Sequence, residues 1–218
     1  MTQTLSAPQT RPPQALPAAR PLLAGGIVAG PLFLAAGVIQ GLTRDGYDFT
    51  RNAISQLSLG DLGWIQVTNF VLTGALIIAG AIGLWRTLNG GPGGTWAPRL
   101  VAVFGASFLV SAVFAADPGA GFPAGTADGP STLSTHGTVH LLGGMVGYLA
   151  LCAAFIVLAR RFSADGRRGW AVASRIVPVG VLAGFAASGA SVLIFLAGAA
   201  LGLVWLSATT VRLATTQR

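Results

Sequence analysis

Long stretches without Asp, Glu, Lys or Arg alternate with short polar segments along the chain. Five such stretches stand out, at Pro21–Thr43, Leu62–Trp85, Leu100–Ala116, Gly137–Ala159 and Ile176–Val211. About 20 apolar residues are enough for a helix to cross the hydrocarbon core of a bilayer, which is about 30 Å thick. The pattern therefore predicts membrane-spanning helices.

The last stretch is too long for one crossing. Its 36 residues would form a helix of about 54 Å, and tilting does not absorb that excess. The sequence Ser188-Gly-Ala-Ser191 offers a turn near its middle. We therefore predict six spans, at about 21–43, 62–86, 99–116, 137–159, 171–188 and 191–212.

These spans define the predicted domain organisation and fold class. Residues 21–213 form an all-α, polytopic membrane helix bundle, and residues 214–218 form a short cytoplasmic tail. Residues 1–20 are rich in Pro, Ala, Gln and Thr and are predicted to be a disordered cytoplasmic tail. A cleaved signal peptide is the alternative for the N-terminus, but its apolar core is usually about 7–15 residues long.

Composition and charge agree with a membrane protein. Only 9% of the residues are charged, against about 25% in a typical soluble domain. The net charge of +7 comes from arginines at the ends of the apolar stretches, not from one basic stripe, which argues against nucleic-acid binding. The five tryptophans, which are predicted interfacial anchors, also lie near span ends: Trp64, Trp85, Trp96, Trp170 and Trp205.

The distribution of arginine predicts the orientation. With both termini in the cytoplasm, eleven arginines and one aspartate lie on the inner side, against two arginines and five aspartates outside. This asymmetry is what the positive-inside rule requires. We predict a multi-pass protein of the plasma membrane, and its arginine-only, alanine-rich composition is associated with high-GC bacteria.

The first outer segment, from Arg44 to Gly63, is dense in hydrogen-bonding side chains. A short helix capped by Asp48 or Thr50 and ended by Gly60 fits it, with Ile54 and Leu57 on one face; a polar loop is the alternative. Its candidate polar site continues into the second span and comprises Asp45, Asp48, Arg51, Ser55, Gln56, Gln66 and Asn69.

Two roles are open for this segment. It is either a lid over an outward-facing pocket or a plug whose charges pair among themselves, for example Arg51 with Asp48 or Asp117. The second outer segment, Asp117–Thr135, is rich in Gly and Pro and is expected to be irregular.

Both histidines of the chain, His136 and His140, share one face at the outer end of the fourth span. Together with Asp117 they are the candidate catalytic residues, and with Asp117 and Asp48 they are candidate ligands of a divalent metal such as zinc. A proton relay is a third possibility. The alternative is structural: His140 hydrogen-bonds a neighbouring helix and His136 is an exposed cap residue.

No other cofactor is predicted. Two histidines on one helix argue against bis-histidine haem ligation, which needs facing helices. The single cysteine, Cys152, fits a small buried hydrophobic residue. Gly-xxx-Gly pairs suit close helix packing within one chain, whereas homo-oligomerisation has no separate support: Gly26 with Gly30, Gly37 with Gly41, Gly143 with Gly147, Gly180 with Gly184, and Gly198 with Gly202.

The run from Ser55 to Gly74 resembles the signature of an uncharacterised prokaryotic membrane-protein family, catalogued as domain of unknown function 998. The segments 121–125 with 136–140, 160–162 and 170–171 are similar to its other marked regions, so that the resemblance covers about residues 21–213. It implies a fold but no reaction. Members often carry a histidine after the arginine at position 51, where this chain has Asn52, which weakens any metal site in this segment.

Three functions are therefore open. The first is a membrane protein of unknown activity with a polar site on its outer face. The second is a membrane-embedded enzyme that acts on a lipid or a lipid-linked substrate through His136 and His140. The third is a small transporter or channel, which is disfavoured because the charged residues lie at span ends and not mid-span.

Overall fold

A computed structural model describes residues 19–88, 90–129 and 132–216. Most of the predicted N-terminal tail, residues 1–18, lies outside the described residues, as do residues 217–218 of the predicted C-terminal tail. Ala19 and Arg20, which the prediction assigned to the tail, already belong to the first helix, and the last helix continues to Thr215.

Six α-helices make up the bundle, and the described residues contain no β-strand. All six are long and apolar enough to cross a membrane, which confirms the predicted fold class. Their bounds are α1 Ala19–Thr43, α2 Gly63–Leu88, α3 Trp96–Val113, α4 Thr135–Ala164, α5 Arg168–Ala186 and α6 Val192–Thr215. A short 3-10 helix, Ile54–Ser58, lies between α1 and α2.

The predicted division of the longest apolar stretch is correct. Helix α5 ends at Ala186, and the chain turns before α6 begins at Val192. Ser191 caps α6, because its side-chain oxygen accepts a hydrogen bond from the backbone N–H of Ile194 at 3.4 Å.

The six helices form a ring. Each helix packs on the next one in the chain, and α6 packs back on α1. Glycine makes these contacts close: a Cβ added at Gly80 of α2 would lie 2.6 Å from Gly26 Cα of α1. Gly184 of α5 faces Gly198 of α6 in the same way. The predicted Gly-xxx-Gly residues therefore pack within this chain.

The two halves of the bundle differ in packing. We call the end with residues 44–62, 114–134 and 187–191 the outer end and the opposite end the arginine-rich end. In α6, the buried residues lie between Gly198 and Leu213, toward the arginine-rich end. The first turns of α6, from Val192, are less buried. Around α6, packing is therefore closer toward the arginine-rich end than toward the outer end.

Tryptophan only partly follows the prediction. Trp64, Trp85 and Trp96 are exposed near helix ends, as interfacial anchors are. Trp205 instead stacks on Trp170 with ring centroids 5.2 Å apart, and both side chains are partly buried against the core. These two residues therefore contribute to helix packing.

Candidate functional site

The two outer segments pack on each other and form a structure that we call the outer cap, residues 44–62 and 114–129. Asn52 lies at its centre and is completely buried. Its side-chain amide donates to the carbonyls of Gly119 at 3.3 Å and Ala120 at 3.4 Å. Its Oδ1 accepts from the backbone N–H of Asp48 at 2.9 Å. One amide thus joins segments that are far apart in sequence.

Gln56 forms a second connection between the same segments. Its Oε1 accepts from the backbone N–H of Ala53 at 3.0 Å, and its Nε2 donates to the Asp117 carbonyl at 3.3 Å. Arg44 adds a third, because its guanidinium donates to the Leu59 carbonyl at 2.6 Å and lies 5.3 Å from the centre of a ring of the second segment, Phe122. The cap is therefore folded by internal hydrogen bonds.

The predicted short helix is present as the 3-10 helix Ile54–Ser58. Ile54 and Leu57 are both buried, as their shared face predicted. Ile54 packs against Gly37 of α1, where a Cβ would lie 2.9 Å from it. Gly60 follows the helix with a φ of +71°, a conformation that glycine adopts without strain.

The predicted helix cap is wrong. The residue that precedes the 3-10 helix is Ala53, not Asp48 or Thr50. Asp48 instead closes a local turn, because its Oδ1 accepts from the backbone N–H and the hydroxyl of Thr50, both at 2.7 Å. These hydrogen bonds, with a smaller contribution from Arg51, lower the pKa of the exposed Asp48 carboxyl.

The ion pair that Arg51 forms in the cap is not one of the two that the sequence suggested. Arg51 pairs with Asp128 at 2.7 Å, rather than with Asp48 or Asp117. Both side chains are largely exposed, at 47% and 82% of their surface, so that solvent screens the pair. Asp45 is exposed as well. The charges of Asp45, Asp48, Arg51 and Asp128 are therefore on the surface of the cap, whereas the amides of Asn52 and Gln56 are in its interior.

Asp117 supports the start of α4. Its carboxylate accepts from the hydroxyl of Ser134 at 2.6 Å and from the Ser134 backbone N–H at 3.0 Å. Ser134 in turn caps α4, because its Oγ accepts from the backbone N–H of Gly137 at 3.0 Å. The hydroxyl and backbone hydrogen bonds from Ser134 lower the pKa of Asp117, against a smaller effect of desolvation.

The two histidines lie on one face of α4, as predicted, but their environments differ. His140 is buried, and its Nδ1 lies 2.8 Å from the carbonyl oxygen of Phe114 at the end of α3. His136 is exposed and packs against the ring of Phe114, with centroids 5.3 Å apart. The His140 contact and the exposure of His136 are what the structural alternative described, but the cap of α4 is Ser134 and not His136.

The histidines and Asp117 share one corner of the molecule, since a Cβ added at Gly137, which follows His136 in α4, would touch the Asp117 carboxylate. Within residues 19–88, 90–129 and 132–216, no group of three or more His, Cys, Asp or Glu side chains is arranged to hold a metal. A divalent metal at His136, His140, Asp117 and Asp48 stays a prediction.

Gln66 and Asn69 belong to a separate buried network between α1 and α2. Gln66 Oε1 accepts from Gln40 Nε2 at 2.8 Å and from Asn69 Nδ2 at 3.2 Å. Asn69 Nδ2 also donates to the Phe33 carbonyl of α1 at 3.2 Å. Sequence reasoning missed Gln40, although a single amide near the end of an apolar stretch is a signal for such pairing.

A cavity of about 710 Å³ lies in the outer half of the ring, beneath the 3-10 helix. Ser55 of the predicted polar site is part of its wall. Residues from all six helices contribute most of the remaining wall, including Phe33, Phe70, Phe108, Met145, Tyr148, Leu182, Phe185, Phe195, Leu196 and Leu203. The surface of the cavity is mainly apolar, with a few polar side chains.

The cavity reaches only part of the way across the membrane. Its wall extends along α4 from His140 to Leu149, and along α6 from Val192 to Leu203. At 1.5 Å per residue these stretches are about 14 Å and 16 Å long. This depth corresponds to one leaflet of a bilayer with a core of about 30 Å.

The polar residues on the cavity wall were mostly missed. Ser107 and Ser111 of α3 are four residues apart and face the cavity, and on α4 Tyr148 faces it two such steps beyond His140. A spacing of four places residues on one helix face. Isolated polar residues at this spacing within apolar stretches were the available signal.

Comparisons with known proteins complete the description. The curated proteins contain no match to this chain, and neither do the solved structures. The model of the family described as "Protein of unknown function (DUF998)" matches residues 27–212, which is most of the chain, and the protein belongs to this family.

Proposed function

We propose that this membrane protein binds a lipid-like ligand in the cavity of its outer half, with the outer cap as the lid. The observation that supports this is the cavity itself. Its volume of about 710 Å³ lies within the range of about 300–1,000 Å³ that is typical of ligand sites. Its apolar wall with a few polar groups on α3 and α4 is also typical of such sites.

The polar groups are what would make such a site selective. A lipid tail in a bilayer is already in an apolar environment, so that moving it into an apolar cavity yields no hydrophobic free energy. Affinity must then come from shape and from hydrogen bonds. His140 and Ser111 at the outer part of the cavity supply these groups. Of the predicted polar outer-face site, Ser55 belongs to the wall of this proposed lipid site.

The proposal includes an orientation and a location. We place the arginine-rich end and both termini in the cytoplasm, and the outer cap outside a bacterial plasma membrane. Nine arginines of the described residues belong to the arginine-rich end, namely Arg20, Arg86, Arg99, Arg160, Arg161, Arg167, Arg168, Arg175 and Arg212. The positive-inside rule supports this orientation. The ligand would then come from the outer leaflet.

An enzyme that acts on the bound lipid is the second candidate, with His140 on the cavity wall as the residue that favours it. A metal-dependent form would use His136, His140, Asp117 and Asp48. Metal analysis of the purified protein tests this form. Stoichiometric zinc that disappears in the His136→Ala/His140→Ala variant supports it, and metal-free active protein excludes it. A transporter has less support, because the cavity reaches only part of the way along α4 and α6.

Photolabelling in nanodiscs of phosphatidylcholine tests lipid binding. An alkyl diazirine probe should form saturable adducts with cavity residues such as Met145 and Phe195. In Gly144→Phe the new ring would enter the cavity, because a Cβ at Gly144 meets no atom within 4 Å. Saturable labelling should be lost in this variant. Gly169→Phe is the matched control, since Gly169 is equally open on α5 but far from the cavity.

Two results would contradict the proposal. The first is an absence of saturable adducts on the cavity wall of the wild-type protein. The second is equal labelling of Gly144→Phe and Gly169→Phe, which would show that the probe binds elsewhere.

A further inference from the structure

The orientation of the His140 ring restricts what the cavity can bind. Its Nδ1 lies 2.8 Å from the Phe114 carbonyl oxygen. A carbonyl oxygen only accepts hydrogen bonds, so that Nδ1 must carry the proton. In the neutral imidazole, the other ring nitrogen, Nε2, is then an acceptor. A ligand that pairs with Nε2 must therefore bring a hydrogen-bond donor.

Two further polar groups of the cavity wall already donate their hydroxyl protons to backbone carbonyls of the protein. Ser107 Oγ donates to the Phe104 carbonyl at 2.7 Å. Tyr148 Oη donates to the Ala199 carbonyl at 3.3 Å. Both oxygens keep lone pairs and remain acceptors. The other hydroxyls of the wall, those of Ser55, Ser111 and Ser188, can accept as well as donate.

Charge gives the second restriction. The described residues that line the cavity include no Asp, Glu, Lys or Arg. A charged group moved into such a site loses its hydration without gaining a counter-charge, which is strongly unfavourable. An ammonium group, although a good donor, is excluded on this ground, and so is a phosphate or a carboxylate.

Together these restrictions define a ligand class. We propose that the cavity binds an uncharged lipid with a free hydroxyl group, such as a long-chain alcohol or an acylglycerol, whose hydroxyl donates to His140 Nε2. The inference rests on the proposed lipid-binding function and specifies its ligand. The hydroxyl would lie at the outer part of the cavity, and the chain would extend toward Leu203.

Three ligands with the same chain test this proposal on the wild-type protein. Oleyl alcohol, oleyl methyl ether and oleate are compared as competitors of the alkyl diazirine, at equal mole fractions in the nanodisc. A neutral hydrogen bond contributes about 1 kcal/mol, so that the alcohol should compete about fivefold better than the ether. Oleate should be the weakest of the three.

The His140→Asn variant locates the hydroxyl. An asparagine side chain places an N–H close to the position of Nδ1 and keeps a donor for Phe114, but it lacks the acceptor at the position of Nε2. The advantage of the alcohol over the ether should disappear, while the saturable labelling by the diazirine remains. Ser163→Ala, at the arginine-rich end of α4, is the control and should keep the advantage.

The outcomes separate the two proposals. Saturable labelling with equal competition by the alcohol and the ether would leave lipid binding in place and overturn the hydroxyl assignment. Stronger competition by oleate would overturn it as well. An absence of saturable labelling would instead remove the lipid-binding function on which it rests. An alcohol preference that persists in His140→Asn would show that the hydroxyl does not pair with His140.

Discussion

Replacing Asn52 by alanine tests whether buried amides hold the outer cap together. The substitution removes the donor to the carbonyls of Gly119 and Ala120 and the acceptor for the Asp48 N–H. Gly119 keeps another donor, the backbone N–H of Phe122 at 3.2 Å. The Ala120 carbonyl and the Asp48 N–H lose the partner that Asn52 provides.

The loss can be estimated from these contacts. Two to three neutral hydrogen bonds at about 1 kcal/mol each amount to roughly 2–3 kcal/mol. If this free energy is lost from the closed cap, its backbone amides should exchange roughly 30- to 150-fold faster. The measurement is hydrogen exchange by mass spectrometry on peptides that cover residues 44–62, with the protein in nanodiscs.

Arg51→Ala, at the neighbouring position, is the control. Its ion pair with Asp128 is exposed, and such pairs contribute at most about 1 kcal/mol. Exchange should then rise no more than about fivefold. If Arg51→Ala accelerates exchange as much as Asn52→Ala, the cap is held by its surface charges and the argument from buried amides is wrong.

Three other predictions concern packing, pH and topology. Gly80→Ala should lower the free energy of unfolding in mixed micelles by about 1–3 kcal/mol, because its methyl would meet Gly26; an unchanged stability would contradict the close contact. Hydrogen bonds from Ser134 lower the pKa of Asp117 in the folded protein. The ionised carboxylate therefore stabilises the fold fully at pH values above the pKa that Asp117 has in the unfolded chain. This stabilisation is lost as the pH falls through its lower pKa in the folded protein. In Asp117→Asn, the free energy of unfolding should therefore fall less on acidification than in the wild type. An equal fall in both proteins would exclude this stabilising role of Asp117. A cysteine at Thr216, in a variant without the native cysteine, should react with impermeant reagents only from the cytoplasm; labelling from outside would reverse the proposed orientation.

The number of helices followed from local properties of the sequence. An apolar stretch of about 20 residues, bounded by arginine or by glycine-rich turns, forms a helix in lipid almost regardless of its neighbours, because every backbone hydrogen bond is satisfied within the segment. For this reason the turn at Ser188–Ser191 was found without knowledge of the packing. The resemblance to the family was likewise carried by local motifs and is confirmed.

Pairings within the outer cap depended on distances that the sequence does not contain. Arg51 and Asp128 are 77 positions apart, and any of several outer aspartates was an equally good partner by sequence alone. The same holds for Asn52, which was noticed as a departure from the family pattern but not as the centre of the cap. Which donor meets which acceptor is decided by the packing of the two outer segments.

The sequence alone determined a six-helix membrane protein with its polar residues concentrated at one end, since run length, charge asymmetry and turn residues act locally. Only the tertiary structure decided that the outer half of the ring is hollow. A cavity is a property of the space between helices: the buried residues of α6 lie from Gly198 onward, whereas its first turns, which include Phe195, contribute to the cavity wall. The apolar residues that line this cavity have the same composition as those that face lipid, and no periodicity separates the two.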